Sequence, residues 1–211
     1  MKNFLLIDDH EIVRSGIKSV LEELFKPCEI FEANDERSAL NQLKSRKYDL
    51  VVMDVQMPET DTAGLMEYIK TKYSDIRVLM FSMSPENVYA KRFLKAGAMG
   101  FVSKSAGLGE LKKAVELVLN DRRYISEALG EQLATEIGSA QPNNPFDKLS
   151  AREFEIAVLL ISGKTGREIS VLLSINSSTV GTHKARLFDK LRVSNLPELI
   201  EISRMYRVNH S

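Results

Sequence analysis

The sequence predicts an α/β domain on a five-stranded parallel sheet, followed by a separate all-helical unit. Three observations carry this. Between residue 3 and about 120, five β-prone apolar runs alternate with five helix-period segments, the pattern of a parallel sheet covered on both faces. Two of the runs, Leu50-Val51-Val52-Met53 and Val78-Leu79-Met80-Phe81, are apolar at every position, as in strands buried on both sides. After Leu149 only helical periodicity remains, behind a stretch from Gly138 to Pro145 whose Pro, Asn and Gly content marks a linker.

The elements follow in order. Strands are expected at Phe4–Ile7, Glu29–Ala33, Leu50–Asp54, Arg77–Ser82 and Gly100–Ser103. Helices are expected at Glu11–Leu24, Asp35–Ser45, Gly64–Lys72, Pro85–Lys95 and Gly109–Asn120. A sixth helix is expected over Tyr124–Gly138, where Ile125, Leu129, Leu133 and Ile137 recur every four residues. Four short helices then span about 150–162, 165–173, 177–191 and 196–205. Their starts are marked by Ser150…Glu153, Thr165…Glu168, Asn176-Ser177 and Asn195…Glu198; the first two have full capping-box spacing. The domains are therefore set at 1–121 and 148–211, with a linker containing a helix at 122–147.

Composition bounds the function class. The chain has 211 residues, 44% apolar, with 29 basic and 29 acidic side chains. That is a globular composition, not a collagen-like, disordered or disulfide-stapled one. The longest apolar run, Ile156–Ile161, is far below the roughly 20 residues of a membrane span. The N-terminus lacks the shape of a signal peptide, and the single Cys28 cannot form an internal disulfide. These features point to the cytoplasm and to no membrane partner.

The strand ends carry the first chemistry. Asp8 and Asp9 follow the first strand, Asp54 ends the third, Ser82 ends the fourth and Lys104 follows the fifth. In an open parallel sheet, ligands bind beyond the strand C-termini, so these side chains converge there. Three clustered carboxylates repel unless a cation neutralises them, and a hard divalent ion such as Mg²⁺ does so with oxygen ligands. One carboxylate is then poised as a nucleophile toward a phosphoryl donor, while a Lys and a hydroxyl stabilise the transferred oxygens. A single strand-end Asp is ordinarily a cap or a solvated loop residue; five such side chains at four strand ends are not.

Here the sequence resembles the receiver domain of two-component response regulators, on Asp8-Asp9, Asp54-Val-Gln-Met57-Pro58, Ser82, and Gly97-Ala-Met-Gly100-Phe101 leading to Lys104. The resemblance spans residues 3–120 and implies a flavodoxin-like sheet of order 2-1-3-4-5. It implies that Asp54 accepts a phosphoryl group from a histidine kinase. Asp9 and Asp54 would bind Mg²⁺ directly, Asp8 through water, and the backbone carbonyl of Gln56 would complete the shell. Lys104 would pair with the phosphoryl oxygens, and Ser82 and Phe101 would form the switch. The only enzymatic activity implied is Mg²⁺-dependent self-phosphorylation and self-dephosphorylation at Asp54. One departure is the loop after Met57-Pro58: Gly64 lies ten residues after Asp54 where the family has about eight. The extra residues, within Glu59–Ala63, are expected to stand beside the site and to add Glu59 and Asp61. A flavin protein or a metal-dependent phosphohydrolase would share this fold class, but the acidic Asp8-Asp9-His10 loop would repel a phosphate that arrived without a metal.

The second unit contains a short helix, a turn at Leu173-Ser174-Ile175-Asn176 and a longer helix. That is the arrangement that lays a helix in the major groove. Val180, Leu187 and Leu191 share the inward face; Thr179, Thr182, His183, Arg186 and Lys190 occupy the remainder. The whole-chain charge of zero conceals a gradient. Residues 124–146 hold three Glu and no base, whereas residues 163–192 hold six bases against two acids, net +4. Positive charge thus gathers on the reading helix, as nucleic-acid binding requires.

Residues 149–203 resemble the LuxR-type helix-turn-helix of the NarL subfamily. The carrying residues are Leu149-Ser150-x-Arg152-Glu153-x-Glu155, Gly163-Lys-Thr-Gly-Arg-Glu168-Ile169, Thr179-Val180-x-Thr182-His183 and Lys190-Leu191-x-Val193. The resemblance implies a homodimer, formed on phosphorylation, on paired promoter half-sites of double-stranded DNA, with helix 196–205 in the dimer contact. The implied DNA-facing residues are Thr179, Gly181, Thr182, Ala185 and Arg186, with Lys184 nearby; His183 reads as a structural hydrogen-bonder. Gly181 and Ala185 depart from the family, which commonly has Lys at both positions. The function expected is a phosphorylation-controlled transcriptional regulator. The alternative is a phosphate sink or interaction protein with weak or no DNA binding.

Overall fold

The β-branched and large apolar runs at the strand positions form a single parallel sheet, and the computed structural model describes residues 1–58, 60–138, 144–206 and 208. The first unit contains β1 (Lys2–Ile7), α1 (Glu11–Leu24), β2 (Cys28–Ala33), α2 (Glu36–Ser45), β3 (Leu50–Met53), α3 (Thr62–Lys72), β4 (Arg77–Ser82), α4 (Glu86–Lys95), β5 (Gly100–Ser103), α5 (Gly107–Leu119) and α6 (Glu127–Gly138). Sheet order is β2-β1-β3-β4-β5, all parallel, as expected. The winding reverses between β1 and β3, which opens a crevice beyond their C-terminal ends. Register brings the strand ends level: Ile7 pairs with Met53, Met53 with Met80, and Ser82 with Ser103.

Successive strand residues point to opposite faces. One face presents Phe4, Leu6, Leu50, Val52, Leu79, Phe81 and Val102, which pack with Ile17 and Leu21 of α1 and Leu111, Val115 and Val118 of α5. The intervening Leu5, Ile7, Val51, Met53, Val78 and Met80 are buried on the other face. Truncating one of these buried aliphatics to Ala costs roughly 2–5 kcal/mol. The core thereby holds the sheet edge rigid for the polar groups that follow it.

The first unit runs further than the composition suggests. It extends over Met1–Ser139, beyond the expected boundary at 121, and the second covers Ala140–Ser211. Tyr124 bridges alongside Gly100 of β5, its N–H donating to the Met99 carbonyl at 2.9 Å. A Cβ at Gly100 would stand 2.9 Å from both Leu79 Cδ1 and Tyr124 Cβ, so only glycine lets the chain pass this close. Leu129 of α6 is buried, and Ser126 Oγ donates to Glu86 Oε2 of α4 at 2.8 Å. The expected linker helix is therefore part of the first unit, starting at Glu127 and not at Tyr124. Residues 139–143 of the expected linker lie outside the described residues.

The second unit contains α7 (Ala151–Ile161), α8 (Gly166–Leu172), α9 (Ser177–Leu191) and α10 (Leu196–Met205), preceded by a short 3-10 turn at Pro145–Lys148. Both capping boxes form: the Ser150 and Thr165 side chains accept from the Glu153 and Glu168 N–H groups, and each glutamate accepts from the cap's N–H. Asn195 likewise accepts from Glu198 N–H at 3.0 Å. Asn176 occupies the N-cap position of α9 but makes no side-chain cap bond. Phe146, Phe154, Ile156, Ile169, Leu187 and Leu199 form the buried interior.

Candidate functional site

The acidic loop is set by backbone bonds at the strand ends. Asp8 N–H donates to the Ala33 carbonyl at 3.1 Å, and Asp54 N–H donates to the Ile7 carbonyl at 2.9 Å. Asp8 and Asp54 are 2% and 5% exposed, so their charges need partners. Lys104, just beyond β5, supplies them: its Nζ lies 2.6 Å from Asp8 Oδ2 and 2.6 Å from Asp54 Oδ2. Burial pushes the Lys104 ammonium pKa down, but the hydrogen bonds to Asp54 and Asp8 more than offset this and hold it above the ordinary 10.5. Lys104 therefore stays protonated at neutral pH.

The other oxygen of Asp54 is held by three donors. Val55 N–H reaches Oδ1 at 2.6 Å, Gln56 N–H at 3.3 Å and Ser82 Oγ at 2.5 Å. Ser82 Oγ in turn accepts from Ser84 N–H at 3.2 Å, at the entry to α4. Phe101 is fully buried in β5, paired with Met80. The structure thus brings Asp8, Asp9, Asp54, Ser82 and Lys104 to one sheet edge, with Gln56 at Asp54 and Phe101 within the strand that leads to Lys104.

Asp61 departs from expectation. Its carboxylate accepts from Gly64 N–H at 2.7 Å and caps α3, while its own N–H donates to Glu36 Oε2 at 3.2 Å. Its short side chain is taken up by orphan amides of the helix start, so it joins α3 and α2 and not the acidic cluster. Thr60 and Thr62 of the same loop are buried. Glu59 lies outside the described residues.

Three partners escaped the sequence reading. His10 Nδ1 lies 2.9 Å from Asp9 Oδ1 and 3.4 Å from Asp8 Oδ1. Its position beside the acid pair was the available signal. Arg14, one turn into α1, donates to the Asp8 carbonyl at 2.8 Å and to Glu32 at 2.7 Å. Ser84 is the third; nothing local distinguishes it or Arg14, because only the fold brings them to the loop. Donor atoms of Asp8, Asp9, His10 and Asp54 all lie within 4.8 Å of one another. Asp9 Oδ1 is shut off from solvent and accepts no hydrogen bond. This oxygen-rich set with an unsatisfied carboxylate fits a divalent cation. Formally, three carboxylates and one ammonium leave −2, which one such cation balances.

In the second unit, Val180, Leu187 and Leu191 bury one side of α9. Gly181, Thr182, Lys184, Ala185 and Arg186 are exposed, and Thr179 is half-buried. Lys184 lies over the Phe188 ring, 5.3 Å from its centroid. The turn before α9 is tied down by Ser170 Oγ donating to the Ile175 carbonyl at 2.8 Å and by buried Arg152, whose Nη2 donates to the Leu173 carbonyl at 2.9 Å. Lys190 is spent internally: its Nζ stands 2.6 Å from Glu153 Oε2. It thus adds to the charge count of the reading helix while serving as an anchor to α7.

The model of the response regulator receiver domain matches residues 4–116, and that of the bacterial regulatory proteins, luxR family, matches residues 147–203. The chain is 35% identical to response regulator GacA of Pseudomonas viridiflava over 200 residues, 94% of each chain. It is 31% identical to response regulator UvrY of Escherichia coli (strain K12) over 204 residues, 96% of this chain and 94% of the other. Among solved structures, RcsB from Salmonella enterica serovar Typhimurium, bound to promoter rprA in the presence of phosphomimetic BeF3-, has a similar fold: TM-score 0.68 at 24% identity, covering 95% of this chain and 97% of that one.

Proposed function

Because the chain belongs to the two-component response regulators that join a receiver domain to a LuxR-type DNA-binding domain, we propose that Asp54 is its phosphoacceptor and that phosphorylation there controls dimerisation and DNA binding. The observation that carries this is the pair of contacts on Asp54, Lys104 at one oxygen and Ser82 at the other. Three donors occupy Oδ1, which leaves Oδ2 with open lone pairs as the attacking oxygen. Lys104 already touches Oδ2 and would follow the negative charge onto the phosphoryl oxygens, where a preoriented cation stabilises the transition state. Ser82 would leave Asp54 Oδ1 for a phosphoryl oxygen, and through its bond from Ser84 N–H that movement would reach the start of α4. Buried Phe101 lies in the strand beside Ser82's own and is the second part of the switch.

Asp9, Asp54 and the Gln56 carbonyl would hold Mg²⁺, with Asp8 behind a water, and the ion would supply charge neutralisation at the acidic cluster. Asp8 suits the outer position because Lys104 and the His10 N–H, at 2.6 Å and 2.8 Å, already hold its oxygens. Any catalysis is confined to phosphoryl uptake and loss at Asp54. The phosphoryl donor is a sensor histidine kinase, the other partner is double-stranded DNA, and the site of action is the cytoplasm. Thr179, Gly181, Thr182, Lys184, Ala185 and Arg186 form the DNA-facing side of α9.

The test is DNA binding by the full chain with and without beryllofluoride, beside Asp54→Ala. Tighter binding with beryllofluoride, absent in the variant, is expected; identical binding in all samples rejects phospho-control. A second reading, a phosphate sink that binds DNA weakly, draws on Gly181 and Ala185, which present no polar group. A mobility shift on the protein's own promoter at two salt concentrations separates the two.

A further inference from the structure

We propose that His10 is a nitrogen ligand to the cation held by the acidic cluster, so that this site takes imidazole-preferring divalent metals such as Ni²⁺ more tightly than its carboxylates alone would allow. The inference rests on the cation reading of Asp8, Asp9 and Asp54 and goes beyond it by adding a donor atom of a different chemical class.

The geometry is that of neighbouring ligands. In an octahedron with bonds of about 2.1 Å, adjacent donors lie about 3.0 Å apart and opposite ones about 4.2 Å apart. His10 Nδ1 stands 2.9 Å from Asp9 Oδ1 and 3.4 Å from Asp8 Oδ1. One donor atom from each of Asp9, His10 and Asp54, with Asp8 beside them, lies within 4.8 Å of the others, a few tenths of an ångström wider than the span of opposite ligands on one ion.

The second observation concerns what His10 and Asp9 do not do. Asp9 Oδ1 is closed to solvent and accepts no hydrogen bond, although an imidazole nitrogen stands 2.9 Å away. At this separation the two atoms form an ion pair when the ring is protonated, and a cation that displaces the ring proton would take both as adjacent ligands. Backbone order supports the pose: the His10 N–H donates to Asp8 Oδ1 at 2.8 Å, and His10 is the N-cap residue of α1. The ring is 62% exposed, so an ion bound there stays open to water and to an incoming phosphoryl donor.

Ligand class then sets preference. Carboxylates and water suit Mg²⁺, whereas imidazole favours the later first-row metals, rising toward Ni²⁺ and Cu²⁺. Removing His10 should therefore weaken Ni²⁺ while leaving Mg²⁺ nearly untouched. A His10 that merely steadied Asp9 by packing would weaken both metals alike.

The experiment is calorimetric titration of the full chain with Mg²⁺ and with Ni²⁺, comparing wild type, His10→Ala and Asp9→Asn. The Mn²⁺-loaded chain is examined in parallel by electron spin echo envelope modulation. The expected result is a Ni²⁺ affinity at least about 10-fold lower in His10→Ala, a Mg²⁺ affinity within about 2-fold of wild type, and a nitrogen modulation that disappears with His10. Equal losses for both metals, or no change for either, overturn the inference and leave the cation reading standing. Wild type that binds neither metal defeats both. Asp9→Asn, which should abolish binding of both, verifies that the titration reports this cluster.

Discussion

Two residues illustrate how much a single side chain decides. Lys104 is isolated in the sequence, yet its ammonium joins two carboxylates that would otherwise repel across the β1–β3 crevice. Its raised pKa means that this contribution is fully present below the ordinary 10.5 and is lost only as pH rises through the still higher folded value. Gly181 makes the opposite point. It sits inside α9, exposed, and a Cβ there would meet nothing within 4 Å. No turn or close approach requires glycine at this position. Gly181→Ala is therefore expected to raise stability by about 0.5–1 kcal/mol in thermal denaturation. If Gly181→Ala destabilises the chain, the helix has a constraint that its geometry does not reveal.

At the scale of elements, the anchor between α7 and α9 explains why a modestly apolar reading helix is held in place. Glu153 caps α7 and receives Lys190 from α9. Burial pushes the Glu153 carboxyl up, but the Lys190 ammonium and the Ser150 backbone and hydroxyl outweigh it and hold the carboxyl below its ordinary 4.5. A depressed carboxyl contributes stability that is present above its unfolded value and lost as pH falls through the folded one. Hydrogen exchange of the α7 amides should therefore differ most between wild type and Glu153→Gln at neutral pH, with the difference shrinking as pH falls below the ordinary 4.5. In the first unit, α6 hangs on the Ser126–Glu86 bond and on buried Leu129. Ser126 also accepts from Leu129 N–H at 3.1 Å. Ser126→Ala should lower the protection of α6 amides by about 1 kcal/mol while the central strands keep theirs. Uniform loss across the sheet would show that α6 is not a separately opening element.

For the molecule as a whole, zero net charge is the sum of unlike regions, and the basic excess on α8 and α9 is small. Lys190 lowers the number of cations free for phosphate further, leaving Lys164, Arg167, Lys184, Arg186 and Arg192 exposed there. A dimer that places three cations of each protomer on phosphates should show a slope of log K against log salt of about −5. A slope near zero in filter binding would mean that α9 does not lie along the DNA backbone.

Local pattern alone is enough for the alternation of strands and helices, the double burial of β3 and β4, both capping boxes, and the residue types at the strand ends. All of these rest on local periodicity or on short fixed spacings, which a linear chain displays directly. The other features depend on packing. Asp61 became a cap and not a site residue because α3 begins beside it, and α6 joined the first unit because Gly100 admits Tyr124 against β5. His10, Arg14 and Arg152 took their partners through sheet-edge and turn geometry, where hydrogen bonds and ion pairs form over a few ångströms between groups that the linear order need not bring together. Periodicity reports which face of an element is buried; the identity of the group waiting there depends on how the elements pack.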